Sequence, residues 1–275
     1  MNSTHTWDPD RYLVYADERG RPFLELIARI DAAEPSVVVD LGCGPGNLTV
    51  LLADRWSRAR VTGIDTSPAM IERARDDHGA RIGFELGDVR TWAPTEPVDV
   101  LVSNATLQWV PGHLELLPSL VAKVRHGGWF AFQVPGNLSE RTHTIRAELA
   151  AQEPYAALTA GVDAPAAFDY ATYWRALTDL GCEVDAWSTT YLHELRGEDP
   201  VFGWISGTGA RPVLEALDAE PELRASYEAE LKRRLREAYP EEDGRVLMPF
   251  RGEFVVARVG EEESGRWLHR SGARA

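Results

Sequence analysis

Short aliphatic runs and stretches with apolar residues at every third or fourth position alternate through the first half of the chain. The runs at 37–41, 60–64, 82–86, 98–103 and 129–135 read as strands. Nearly continuous apolar character is what a parallel strand shows when helices cover both of its faces. The stretches between them read as crossover helices. A helix start is signalled at Ser67, where Pro68 takes the first helical position and Glu72 stands in the capping region. In 112–124, Leu114, Leu117, Val121 and Val124 share one face before "HGG" (126–128) is expected to stop the helix. This rhythm predicts an α/β fold built on a mostly parallel sheet.

After Pro135 the rhythm changes. A helical stretch (138–154) has no strand behind it, and 170–195 then reads as a helix, a glycine turn and a long strand. A second helical block carries Leu223, Tyr227, Leu231 and Leu235 as a packing stripe, and 252–260 returns to a strand. The pattern divides the chain into an N-terminal arm and helix over the ligand site (1–34), a core (35–137), a helical insertion (138–172), a core helix and late strand (173–196), a second insertion or lid (197–250), a final strand (251–260) and a frayed tail (261–275). Insertions of that length between sheet strands commonly form a substrate pocket.

Composition narrows the partners. The 275 residues hold 43 acids against 29 Lys and Arg, a net charge of -14 that opposes nucleic acid and anionic membrane. The densest basic cluster, "LKRRLR" (231–236), is flanked by acids and reads as a solvated helix face. The chain shows no secretory signal and nothing near the roughly 18 apolar residues of a membrane span, so a soluble cytoplasmic protein is expected. No protein partner is expected either. Cys43 and Cys182 lie far apart and suggest no disulfide framework, and the scattered histidines suggest no metal.

The candidate chemistry sits where strands end. In "VVVDLGCGPGN" (37–47), Gly42, Gly44 and Gly46 follow the first strand directly, with a helix expected to begin near Gly46. Such a turn lets a ligand approach bare backbone. Asp40 stands before it, where a carboxylate would repel a pyrophosphate and suit the amino group of an amino-acid-bearing nucleoside. The second strand ends at Asp65, placed to accept from ribose hydroxyls. The third leads to Asp88 and Val89, a side-chain acceptor and a backbone donor suited to adenine, and the fourth to Asn104 and then Gln108 and Trp109. Gln108 and Trp109 divide between ligand contact and loop packing. A dinucleotide-dependent oxidoreductase is the rival reading, which Asp40 and the G-x-G-x-G spacing oppose.

These motifs resemble the class I S-adenosylmethionine-dependent methyltransferases. That resemblance implies a Rossmann-like seven-stranded sheet with the last strand antiparallel, S-adenosyl-L-methionine as cofactor, and binding by Asp40, Gly42, Gly44, Gly46, Asp65, Asp88, Val89, Asn104 and Gln108. Longer stretches are similar to the trans-aconitate methyltransferases, a family of small-molecule carboxyl O-methyltransferases: "WDPDRY" (7–12), "DLGCGPGN" (40–47), "GIDTSPAMI" (63–71), "SNATLQWVPGH" (103–113), "GCEVDAWSTTY" (181–191) and "GTGARPVLEAL" (207–217). The closer resemblance implies a polycarboxylate substrate, trans-aconitate, converted to a monomethyl ester, with another small acid or a natural product as the alternative substrate. A carboxylate with a pKa near about 4 is already ionised at neutral pH and needs no general base, so catalysis by proximity is expected and no catalytic acid or base is assigned. Several anions cannot be buried unpaired. The expected suppliers of positive charge and hydrogen bonds are Trp7, Tyr12, Arg19, Arg21, His143, Arg146, Trp204 and Arg211. Trp7 and Tyr12 could equally staple the N-terminal arm to the core.

Overall fold

The structure is a computed structural model that describes residues 16–162 and 164–260. Its centre is a seven-stranded sheet in the order β3-β2-β1-β4-β5-β7-β6. The strands are β1 (Val37–Leu41), β2 (Arg60–Asp65), β3 (Gly83–Leu86), β4 (Val98–Asn104), β5 (Val124–Pro135), β6 (Glu183–Leu195) and β7 (Val246–Arg258). Strand β7 runs antiparallel to both of its neighbours, while the β1–β2, β1–β4, β2–β3 and β4–β5 pairs are parallel. This is the expected seven-stranded sheet with its last strand antiparallel.

The two faces of the sheet carry separate cores, as period-two alternation requires. Val39, Leu41, Leu101, Phe130 and Phe132 pack on one face with Leu117 and Leu120 of α4 (His113–Val121) and Tyr173 and Leu177 of α7 (Tyr170–Thr178). Val38, Val100, Val102 and Ala131 pack on the other with Phe23 and Leu26 of α1 (Ala16–Ala28), Leu52 of α2 (Thr49–Arg55) and Ile71 of α3 (Pro68–His78). Chain order reverses between β1 and β4. The crevice beyond their carboxyl ends is therefore the place where an open α/β sheet binds ligands.

A third core lies outside the sheet. Ile145 and Leu149 of α5 (Arg141–Ala150), Tyr155 before α6 (Ala156–Thr159), Trp204 and Ile205 of α8 (Pro200–Ser206), Leu214 of α9 (Arg211–Ala216) and Tyr227, Leu231 and Leu235 of α10 (Pro221–Ala238) bury one another. The stripe on α10 is thus packing, with Leu223 half-buried at its start. Both insertions contribute to this one cluster, so they form a single helical cap.

Three boundaries differ from expectation. The helix after the glycine turn starts at Thr49, not Gly46, because positive φ at Gly42 (78°), Gly44 (55°) and Gly46 (81°) holds that stretch outside helical backbone. The "HGG" stretch lies inside β5, where Gly127 at φ 73° and a register shift opposite Val98–Val100 accommodate it as a bulge. Strand β7 begins at Val246 and pairs with Leu195, five positions before the expected 251. Its first residues belong to the helical cap, where Val246 and Met248 are buried. The helix start at Ser67 is as expected: its side chain accepts from Met70 N and Pro68 takes the first helical position. Both cysteines are free and buried. No helix among the described residues is long and apolar enough to cross a membrane.

Candidate active site

The carboxyl ends of β1, β2 and β4 meet at the crevice. Gly42 N and Cys43 N donate to Ile64 O (2.7 and 3.0 Å), tying the glycine turn to β2. A Cβ on Gly42 would fall 2.0 Å from Thr106 Oγ1, so this glycine is demanded by the protein's own close approach. At Gly44 a Cβ would meet nothing within 4 Å, which leaves that backbone open on one side. Asp65 braces the turn, with Oδ2 accepting from Gly44 N (2.9 Å) and Oδ1 from Ser67 N (2.8 Å). Burial raises its pKa above the usual carboxylate range.

Asp40 is interior to β1 and buried, with Oδ2 accepting from Thr49 Oγ1 (2.7 Å). Burial, against the Thr49 bond and with help from the Asp65 charge, pushes its pKa up to about 7. Asp88 takes a fork from Arg90, whose Nε lies 3.0 Å from each carboxylate oxygen, and that pairing lowers its pKa. Val89 is buried in the core beside it. Asp88 therefore already has a cationic partner, which the adenine reading of this position did not foresee.

Beyond the tip of β4 lies a cavity walled by residues from both insertions. Asn104 and Gln108 both line it. Gln108 Nε2 donates to Ala105 O (2.6 Å), which fixes the loop. Ala105 holds a positive φ of 50°, strained for a residue with a Cβ, at the point where β4 turns into the cavity wall. Trp109 also lines the cavity. Opposite stand His143 and Arg146, three residues apart on α5 and hence on one helix face. Gly209 packs against both: a Cβ there would lie 3.6 Å from Arg146 Nη1 and 3.6 Å from His143 Cε1.

Arg146 is only 7% exposed, and no carboxylate among the described residues lies within ion-pair distance of it. Burial lowers its pKa. Burial and the Arg146 charge push His143 down to about 4, so its imidazole is neutral near pH 7. Among the described residues, buried side-chain atoms of this cavity without a hydrogen-bond partner include Asn104 Oδ1, Gln108 Oε1, Gln133 Nε2, Asn137 Oδ1 and His143 Nδ1. Leaving one such group unsatisfied costs about 1–3 kcal/mol, so a cluster of them marks a place built for a polar ligand. Apolar walls complete the cavity, including Trp204, whose ring lies 4.5 Å from that of His193, and Phe250.

Two expected pocket residues are elsewhere. Arg211 is outside the lining, with Nε on Glu215 Oε1 at 2.6 Å along α9. The same "GTGARP" stretch reaches the cavity through Thr208, Gly209 and Ala210 instead. Arg21 is exposed and stands over the Tyr191 ring, 5.0 Å from its centroid, while its neighbour Pro22 lines the cavity. Trp7, Tyr12 and the side chain of Arg19 lie outside the described residues.

Residues 38–128 match the methyltransferase domain family. The chain is 48% identical to the trans-aconitate 2-methyltransferase of Streptomyces coelicolor over 93% of this chain and 88% of that one. Identity to the trans-aconitate 2-methyltransferase of Rhodococcus jostii is 51%, over 92% of this chain and 99% of that one. The chain belongs to the trans-aconitate 2-methyltransferase family.

Solved structures share the fold at much lower identity. YcgJ from Bacillus subtilis has a TM-score of 0.57 at 10% identity, covering 88% of this chain and 99% of its own. A SAM-dependent methyltransferase from Thiobacillus denitrificans, solved with S-adenosylhomocysteine, has a TM-score of 0.52 at 19% identity, covering 94% and 95%. Membership in the trans-aconitate 2-methyltransferase family makes this an enzyme of methyl transfer and removes the oxidoreductase reading. The sequence reading missed Ala105, Gln133, Asn137, His193, Met248 and Phe250 in the cavity wall. The alternation of Val246, Met248 and Phe250 was a usable signal, since it extends β7 backwards into the cap.

Proposed function

We propose that this enzyme transfers the methyl group of S-adenosyl-L-methionine to one carboxylate of trans-aconitate. The observation that carries the substrate class is Arg146, a buried guanidinium without a carboxylate partner among the described residues, facing the same cavity as His143. A buried cation is stabilised when a ligand brings the opposite charge, and a forked guanidinium matches a carboxylate.

The residues at the strand ends fit the cofactor. Bare backbone at Gly44 and the carboxylate of Asp65 face the crevice at the sheet's switch point, and Asn47 Oδ1 is buried there without a partner. Asp40 and the glycine turn would hold the amino-acid part, Asp65 the ribose, and Asp88 with Val89 N–H the adenine, Asp88 being shared with Arg90. When bound, the cofactor supplies a methyl group on a positively charged sulfur. Asn104 and Gln108 lie between the two regions and would border the reacting atoms. Arg146 and His143 orient the acid, while Trp109, Trp204 and Phe250 exclude water. No proton needs to be abstracted, in keeping with a cavity whose imidazole at His143 is held for hydrogen bonding.

Single-turnover transfer from labelled cofactor to trans-aconitate, cis-aconitate, citrate and isopropylmalate tests the reading, with a base-labile ester as product. Labile label on trans-aconitate above the others is expected. Cofactor binding without label on any acid overturns the substrate, and a different preferred acid replaces it.

A further inference from the structure

The fold makes room for Gln133 of β5 at some expense. It is the Cα partner of Asn104 across β4–β5 and of Phe254 across β5–β7, and it is 2% exposed. Among the described residues its buried Nε2 has no hydrogen-bond partner, and it lines the same cavity as Asn104, whose Oδ1 also lacks one. On β7, a Cβ at Gly252 would fall 2.9 Å from Gln133 Nε2 and 2.8 Å from the Phe254 ring. A glycine inside a strand weakens it and marks a close approach. Here the approach is that of a buried amide whose donors the protein leaves unused.

Charge explains why an amide, not a cation, belongs there. As the reacting carboxylate oxygen bonds to the methyl carbon, the carbon–sulfur bond breaks with its electron pair left on sulfur. An anion and a sulfonium become a neutral ester and a neutral thioether, and no proton moves. Negative charge on the reacting carboxylate thus fades toward the transition state. A guanidinium paired with it would hold the reactants more tightly than the transition state and slow the step. A neutral N–H orients the oxygen with a smaller penalty of this kind, because hydrogen bonds to an ionised donor are about twice as strong.

We infer that Gln133, beside Asn104 on the neighbouring strand end, positions the carboxylate that is methylated, while Arg146 and His143 hold a carboxylate that is not. The inference rests on the proposed carboxylate chemistry and divides the cavity into a neutral reacting end and a cationic holding end. Rotation of the Asn104 amide by half a turn presents its NH2 to the same ligand.

Gln133→Met keeps the length of the side chain and removes the donor, and Arg146→Met is its counterpart at the other end. In Gln133→Met we expect kcat on trans-aconitate to fall roughly 10- to 100-fold with KM changed less than threefold. In Arg146→Met we expect KM to rise with the smaller change in kcat. A second readout is independent of turnover: the side-chain amide resonances of Gln133, identified by their absence in Gln133→Met, shift when trans-aconitate binds the protein loaded with S-adenosylhomocysteine. A kcat within twofold of wild type, a rise in KM alone, or amide resonances unmoved by bound acid overturns the inference. If the wild-type enzyme binds but methylates no acid, the proposed reaction fails, and the amide shift still reports whether Gln133 meets a carboxylate.

Discussion

The cofactor side and the acceptor side of this crevice are built on opposite plans. Asp40 of β1, Gly44 of the turn behind it and Asp65 of the adjacent strand are held by short-range bonds, Asp65 accepting from Gly44 N and Ser67 N and Asp40 from Thr49 Oγ1. The acceptor cavity draws on α1, β4, β5, α5, β6, α8 and β7, and its polar groups Asn104, Gln133, Asn137 and His143 keep buried atoms without partners. One side is largely preassembled by its own hydrogen bonds, with Asn47 Oδ1 the exception among the described residues. The other is held by an apolar shell and carries unsatisfied polarity inward, a state that binding relieves. The first plan suits a ligand shared by many enzymes, and the second suits one that must be told from its relatives.

Arg146→Met should show the contrast most sharply. Removing one partner of a buried charge pair costs about 3–5 kcal/mol, so the KM for trans-aconitate should rise roughly 100- to 5000-fold. Affinity for S-adenosylhomocysteine, measured by calorimetry, should be unchanged. Thermal stability of the ligand-free variant should hold or rise, since an unpaired buried charge has been replaced by an apolar chain. A variant that loses cofactor affinity as well would show the two sides to be one cooperative site. Asp65→Asn is the converse test. It removes the charge on which two backbone N–H groups converge and to which the proposed function assigns the cofactor ribose, and should lower affinity for S-adenosylhomocysteine by roughly 10- to 100-fold while acid binding persists.

The same contrast explains which parts were legible in the sequence. The strands at 37–41 and 60–64, the turn and the acids behind it are local, so spacing along the chain reports proximity in space. His143 and Arg146 were legible as a pair because a helix converts a three-residue spacing into a shared face. Arg211 was misplaced because sequence shows a cation but not its rotamer, and a glutamate four residues on captures it. Gln133 could not be read as a cavity residue without knowing that β5 and β7 pair, which brings together positions more than a hundred residues apart. Gly252 was equally mute, since its need lies in the Gln133 amide and the Phe254 ring.

Acidity separates the two sides by a smaller effect, and with opposite signs. Burial raises Asp40 from its ordinary 3.8 to about 7, so between these values the folded protein binds more protons than the unfolded chain. The contribution of Asp40 is present in full below about 3.8 and is lost as pH climbs to about 7. His143 is depressed from 6.5 to about 4, so its contribution is present above 6.5 and is lost as pH falls to about 4. Urea unfolding of the ligand-free protein from pH 4 to 7, compared with Asp40→Asn and His143→Phe, resolves the two. Stability of Asp40→Asn relative to wild type should rise with pH across the window, and that of His143→Phe should fall. Saturating S-adenosylhomocysteine should flatten the Asp40 difference by placing an ammonium against its carboxylate, and leave the His143 difference in place. If the cofactor product flattened both, proton occupancy would be coupled across the crevice, and the independence expected for Arg146→Met would fail with it.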